Sequence, residues 1–282
     1  MKFQLDSAEV YIPDHEPVEQ ALARTTHLCF AAHQDDIEIM AAQPIIECFQ
    51  QQDKWFTGVV VTDGRGSPRD SLYQDYTDDE MRLVRFKEQR KASIIGEYAA
   101  QIMLDIPSRI IKDPSRREAV DDILAILRAA RPNVVYTHNL ADKHDTHVAV
   151  ALRVIQALRQ LDQAERPERV VGCEVWRALD WIVDSDKVRM DLSSHENLQW
   201  ALLGVFDSQI VGGKRYDLAS LGRRRANATY FEAHGVDETT GLSYGMDMTP
   251  LMTDAKLNPA EFVEQFIERF AMDVRERVNR VS

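Results

Sequence analysis

Gly58-Val59-Val60-Val61-Thr62 runs directly into Asp63-Gly64-Arg65-Gly66-Ser67. Four successive β-branched residues suit a pleated strand, and an unbroken apolar run, rather than alternation, suits a strand covered on both faces. The glycine-rich segment after it reads as a loop. A helix start follows, with Thr77 and Glu80 at capping-box spacing and Met81, Val84, Ala92 and Ile95 on or near one face. Strand, loop and amphipathic helix make one βα unit.

The same unit recurs on both sides. Upstream, His27–Ala32 (HLCFAA) reads as a short buried strand, followed by a helix over about 36–51 with Pro44 as a kink. Downstream, 101–106 is the next strand. Ser115 and Glu118 then give a second capping-box pattern, ahead of Val120, Ile123, Leu124 and Leu127 at i, i+3, i+4 and i+7. Arg131-Pro132 stops that helix. Asn133–Thr137 (NVVYT) is a strand, Val148, Ala151, Leu152, Ile155 and Leu158 mark a helix face, and 170–176 is a further strand. Beyond about residue 190 the pattern turns mostly helical. Pro259 opens a last helix whose apolar face is Phe262, Val263, Phe266, Ile267 and Phe270.

Alternating strands and helices predict an α/β, Rossmann-like fold with a mostly parallel sheet flanked by helices. No stretch reads as a linker, so residues 1–282 are expected to form one domain.

Composition narrows the function. The net charge of −12 argues against a non-specific nucleic-acid or membrane-surface binder, since both use basic faces. Cys29, Cys48 and Cys173 are far apart and set in apolar stretches, which reads as buried free thiols. The N-terminal segment carries acids and a proline where a signal peptide needs an apolar core, and no run approaches the ~20 apolar residues of a membrane span. A cytoplasmic protein without nucleic-acid or membrane partners is expected. Association of copies into a homo-oligomer stays open.

Two segments hold the metal-capable side chains. They are Ala32-His33-Gln34-Asp35-Asp36-Ile37-Glu38 and Thr137-His138-Asn139-Leu140-Ala141-Asp142-Lys143-His144-Asp145-Thr146-His147. Each lies just past an expected parallel strand, at the strand ends where open α/β sheets build their sites. His144 and His147 share a face if a helix begins near His144. With His33 and one of the two aspartates they supply a nitrogen and oxygen donor set. That set suits Zn2+ and also accepts Fe2+, Mn2+ or Co2+.

The first segment resembles the AHPDDxE signature of the LmbE/PIG-L family of N-acetylglucosaminyl deacetylases. Arg85-Phe86-Lys87-Glu88 with Ala92 and Gly96 is similar to the family's RxxE helix. Arg131–His147 is similar to its RPDVVxTH…HPDH segment, and VVVTDGRG (Val59–Gly66) to the strand and loop between. The resemblance covers residues 26–161 well and the rest poorly. It implies that His33, Asp36 and His147 ligate one zinc, that Asp35 is the general base, and that His144 stabilises the tetrahedral oxyanion, as an imidazolium. The chemistry agrees, because a divalent ion acidifies a water while a neighbouring carboxylate takes its proton.

Two positions depart from the family. Gln34 stands where the family has proline. Thr146 stands where it has the aspartate that orients a histidine, a job that Asp142 or Asp145 would then take over. Arg65, in the glycine loop, is a candidate for contacts to substrate hydroxyls. Arg85 and Glu88 read as a helix-face ion pair, and His138 as a loop hydrogen-bonding group. Lys214, Arg215 and Arg223-Arg224-Arg225 form a local basic cluster, read either as a solvated face or as a substrate rim.

The expected activity is zinc-dependent hydrolysis of the N-acetyl amide of a small amino sugar or sugar conjugate. Two alternatives stay open: a metal-dependent phosphoesterase, which a second cation at Asp63, Asp142 or Asp145 would favour, and a non-catalytic sugar-binding protein.

Overall fold

The structure, a computed structural model, describes residues 1–282. Eight strands form one sheet in the order β1-β4-β3-β2-β5-β6-β8-β7. They are β1 (Glu9–Tyr11), β2 (His27–Ala31), β3 (Phe56–Thr62), β4 (Ala100–Ile106), β5 (Val134–His138), β6 (Arg169–Cys173), β7 (Lys187–Asp191) and β8 (Leu242–Asp247). The five central strands, β4-β3-β2-β5-β6, are parallel. β1, β8 and β7 add antiparallel edges.

Every residue of β2, β3 and β4 is buried, the apolar run Val59–Val61 together with polar His27, Gln101 and Asp105. Side chains alternate between two apolar layers. Leu28, Phe30, Val59 and Val61 enter one layer, and Cys29, Ala31, Phe56 and Val60 enter the other. The helices 118–130 and 145–158 close the first layer with Ile123, Leu127, Val150 and Val154. All three cysteines are buried and free.

Local boundaries differ from expectation in several places. The stretch 36–51 is two short helices, Asp36–Met40 and Ala42–Cys48. The break falls at Ala41, which has non-helical dihedrals, and not at Pro44. Pro44 sits in the first turn of the second helix, where its missing N–H has no intrahelical partner to lose. The capping box at Thr77 and Glu80 forms, but the one read at Ser115 does not. Ser115 donates to Asp113 Oδ1, and Arg117 occupies the cap position. β6 ends at Cys173, short of 176, and the part beyond residue 190 contains β8. β8 pairs with β6 and β7. Its sequence, LSYGMD, has no β-branched residue and includes a serine and a glycine, so local propensity gives little warning of it.

The sheet reverses direction of growth at β2. β3 and β4 extend to one side of it and β5 and β6 to the other, which makes the gap between the carboxyl ends of β2 and β5 the topological switch point. Both donor-rich segments begin there.

Candidate functional site

Three donor atoms converge at the switch point. His33 Nδ1 lies 3.1 Å from Asp36 Oδ2 and 3.2 Å from His147 Nε2, and His147 Nε2 lies 3.3 Å from Asp36 Oδ2. Hydrogen bonds alone do not account for this triangle. Each ring nitrogen carries at most one proton, so no protonation state joins all three edges without leaving one nitrogen aimed at another or the oxygen overshared. The edges match a metal-binding face: donors ~2.0–2.1 Å from a common ion are roughly 3.3 Å apart in a tetrahedron and 3.0 Å apart in an octahedron.

The surroundings favour a cation at this point. Asp36 is buried and accepts the His33 backbone N–H at 2.8 Å. Burial pushes its carboxyl up, but the charge and hydrogen bonds of His147 and the bond from His33 outweigh that, and it is held well below the usual carboxylate range. His147 is fully buried. Burial lowers its pKa, yet Asp36 and Asp142 raise it to about 9. Its other ring nitrogen, Nδ1, faces Asp142 Oδ2 at 3.5 Å, the outer carboxylate that fixes a ligating histidine's tautomer. His33 is lowered to about 4, chiefly by burial, so its ring is neutral and offers a lone pair.

Asp35 sits beside the triangle at an unusual backbone position. Its φ is +98°, a region costing a non-glycine residue about 1–3 kcal/mol. The strain turns its carboxylate into the cleft while Asp36 turns toward the histidines. Burial raises the Asp35 pKa well above normal, and Arg85 opposes the shift from 3.6 Å.

Arg85 is not half of an ion pair with Glu88. It is buried and donates to Gly64 O at 3.0 Å and Gln34 O at 2.6 Å. Glu88 instead accepts Ser208 N–H at 2.8 Å and Ser208 Oγ at 2.6 Å. Arg85 thus locks the two loops together and presents a charge to Asp35, a role that helical spacing could not signal. Arg65 is held by Asp63 and Asp79 and does not line the cleft, so the cation on this wall is Arg85 and not Arg65. Gly64 makes the turn under it. Its φ is +67°, and a Cβ there would meet Gln34 Oε1 at 2.1 Å. The departure at Gln34 is therefore packed against the glycine loop, with its side chain buried.

His144 caps the helix Asp145–Leu158 by accepting the N–H groups of His147 and Val148 through its carbonyl. Its ring centre lies 4.5 Å from that of His147 and 5.2 Å from that of His33, and one of its nitrogens is within 4.8 Å of donors on both. No carboxylate reaches this ring: Asp145 is exposed, and Asp142 instead accepts the His144 backbone N–H at 3.0 Å and the Trp176 N–H at 3.1 Å. Burial and then His147 lower the His144 pKa. Both effects favour its neutral form, where the family resemblance implies an imidazolium. His138 does hydrogen-bond, but across the sheet: Ala32 N–H donates to its Nε2 at 2.8 Å, and its ring stacks on His147 at 3.9 Å.

The cleft over these groups has a volume of about 480 Å³ and draws on the carboxyl ends of all five parallel strands. Lys112, Trp176, Gln209, Lys214 and Tyr216 complete its walls. Part of the basic cluster thus faces the cleft, whereas Arg224 is buried and donates to Gln199, Glu38 O and Ile39 O.

Fold and site together define a Rossmann-like α/β protein with a histidine–aspartate donor cluster suited to one divalent metal. Residues 28–158 match the PIG-L family, described as GlcNAc-PI de-N-acetylase. No curated protein matches the chain by sequence. Among solved structures it is similar to an N,N'-diacetylchitobiose deacetylase from Pyrococcus horikoshii, with a TM-score of 0.63 and 16% identity over 86% of this chain and 90% of that one. It is also similar to the conserved protein TT1542 from Thermus thermophilus (TM-score 0.61, 20% identity, 82% and 98% covered). A third is GalB, the 4-carboxy-2-hydroxymuconate hydratase from Pseudomonas putida (TM-score 0.60, 16% identity, 79% and 95% covered). No helix is long and apolar enough to cross a membrane.

Proposed function

We propose that the protein is a zinc-dependent deacetylase that hydrolyses the N-acetyl amide of an amino sugar or sugar conjugate. The observation that carries this reading is the triangle of His33, Asp36 and His147 with Asp35 directed into the cleft beside it. The matching family model over 28–158 supports it.

His33, Asp36 and His147 would hold the ion. A divalent ion there would supply an acidified water and polarise the amide carbonyl. Asp35 takes the proton from the attacking water and returns it to the leaving nitrogen, so water adds across the C–N bond and acetate and a free amine depart. Arg85 fixes the Asp35 loop through Gln34 O and moderates the charge on the carboxylate. His144, as a neutral N–H donor, stabilises the oxygen charge that develops only as the carbonyl becomes tetrahedral. Asp142 holds the backbone of His144 and the outer nitrogen of His147 in one grip.

A phosphoesterase with two metals finds less support. Asp63 is engaged by Arg65, and Asp142 by two backbone N–H groups. Fold alone does not choose the reaction, since a hydratase shares it. Acetate release from N-acetylglucosamine and its glycosides, assayed with and without chelator after metal analysis, tests the proposal. Chelator-sensitive acetate release is expected. A protein with stoichiometric metal that releases no acetate from the panel overturns it.

A further inference from the structure

Behind Trp176 the cleft opens into a second chamber of about 320 Å³. Ile39, Val175, Trp176, Lys214 and Tyr216 line both spaces, and Arg215, Ala219, Ser220 and Arg223 line only the second. Its walls have a different character from the cleft. The cleft is mostly polar, lined by His33, Asp36, Asp35, Arg85 and His144. The chamber is bounded by two aromatic rings, three aliphatic side chains and the alkyl stems of its cations. Trp176 and Tyr216 meet at 90° with ring centres 6.0 Å apart, forming an aromatic corner, and Lys214 Nζ lies over the Trp176 ring at 4.9 Å. The Trp176 ring runs nearly parallel to His144, 18° and 6.2 Å away, so the chamber starts one ring beyond the reacting centre. Its backbone N–H is anchored on Asp142.

We propose that this chamber binds an aryl-sized apolar group carried on the amine side of the substrate, such as the aglycone of an N-acetylated amino sugar. The assignment rests on the deacetylase reading for the identity of the sugar but not for the existence of the pocket. Filling an apolar corner removes ring surface from water, which is worth about a tenfold gain in affinity for one partly covered ring.

Calorimetry with methyl and phenyl N-acetyl-β-D-glucosaminide on the metal-loaded protein tests it, with acetate release followed separately. The phenyl glycoside is expected to bind about tenfold more tightly. Ala219→Trp, which fills the chamber, and Trp176→Ala, which removes its wall, should each bring the ratio near one, with circular dichroism confirming that each variant is folded. A ratio near one in the wild type, or a tenfold ratio that survives both variants, overturns the assignment. Phenyl preference without acetate release supports the chamber and counts against the deacetylase. Failure of both glycosides to bind counts against both.

The helix Pro259–Val281 presents a separate surface. Phe262 and Phe266 bury its first half against the body, and Arg269 pairs with Asp186. Ile267, Phe270, Val274, Val278 and Val281 then form one stripe at near-heptad spacing that stays open to solvent, with Ile267 50%, Val274 42% and Val278 55% exposed. Glu261, Glu264, Glu268 and Arg269 lie before the middle of the helix, and Asp273, Arg275, Glu276, Arg277 and Arg280 after it, with Arg277 paired to Asp273. Glu268 and Arg275, seven residues apart, flank the stripe on one side. We infer that the stripe pairs antiparallel with the same helix of a second copy. About a centre near Met272, Ile267 faces Val278, Phe270 faces Val274, and Glu268 faces Arg275 twice. A parallel pairing would set Glu268 level with Glu268 and Arg275 level with Arg275.

Sedimentation equilibrium of the full chain is expected to give twice the 32.3 kDa chain mass. Val274→Glu with Val278→Glu should give a folded monomer. Glu268→Lys should weaken the dimer, and adding Arg275→Glu should restore it. A wild-type monomer at about 100 μM, well above the Kd of a stable dimer, overturns the inference. So does a dimer indifferent to the double valine variant or to the charge swap.

Discussion

The imidazole of His138 accepts the backbone N–H of Ala32 at 2.8 Å, joining the carboxyl ends of β5 and β2 across 106 residues of chain. The bond sets the spacing between the two donor segments, because His33 follows Ala32 and the loop to His144 and His147 follows His138. The same ring stacks on His147 at 3.9 Å. With Nε2 occupied as an acceptor and burial pushing its pKa far down, His138 stays neutral.

His138→Ala should therefore weaken metal binding without abolishing it, by about 10–100-fold, as loss of an outer-shell partner does. His147→Ala should lose most of the metal. Competitive titration of zinc against a chromophoric chelator measures both. Equal losses would mean that His138 is itself a ligand.

Asp35→Asn should keep the metal and lose about 10²–10⁴ in turnover, since the amide is nearly isosteric but accepts no proton. Metal content and acetate release are read on the same sample. Near-wild-type turnover would move the base elsewhere.

His144→Ala should leave metal near stoichiometric and lower kcat more than it raises KM, by about 2.7–4 kcal/mol in the barrier if its N–H bonds only the developing oxyanion. Asp142→Asn should impair both metal affinity and kcat, because that carboxylate touches the His144 backbone, the Trp176 N–H and the outer nitrogen of His147. Asp145→Asn, at an exposed side chain, should do little. An emptied metal site in His144→Ala would make that residue a ligand.

Asp122 offers a pH test away from the site. It is buried and accepts the Gln4 backbone N–H, and burial raises its pKa from 3.8 to about 6. The folded chain thus keeps a proton between about pH 4 and 6 that the unfolded chain releases, so this group lowers stability as pH rises through that window and has no further effect above it. Asp122→Asn should flatten the slope and stabilise the protein at pH 7 by roughly 1–2 kcal/mol, after discounting for partial solvent screening. Thermal melts from pH 4 to 7 measure it. A variant that keeps the wild-type slope would assign the window to another group.

The sequence by itself determined the alternation of strands and helices and put both donor-rich loops at strand ends. Those features are local: burial on both faces writes an unbroken apolar run such as Val59–Val61, and a helix face writes a period near 3.6, as from Val120 to Leu127. Side-chain type and strand-end position, with the family resemblance, marked His33, Asp35, Asp36, His144 and His147 as a candidate constellation. The tertiary structure decided what distance along the chain conceals. His33 and His147 meet at 3.2 Å from 114 residues apart. Arg85 binds two loop carbonyls rather than Glu88, Asp142 serves His147 and a backbone rather than the ring of His144, and β8, weak in strand propensity, is recruited by pairing with β6 and β7. Each outcome depends on which buried polar group lacks a partner once the sheet is assembled, and that need is set by packing order, which no local period encodes.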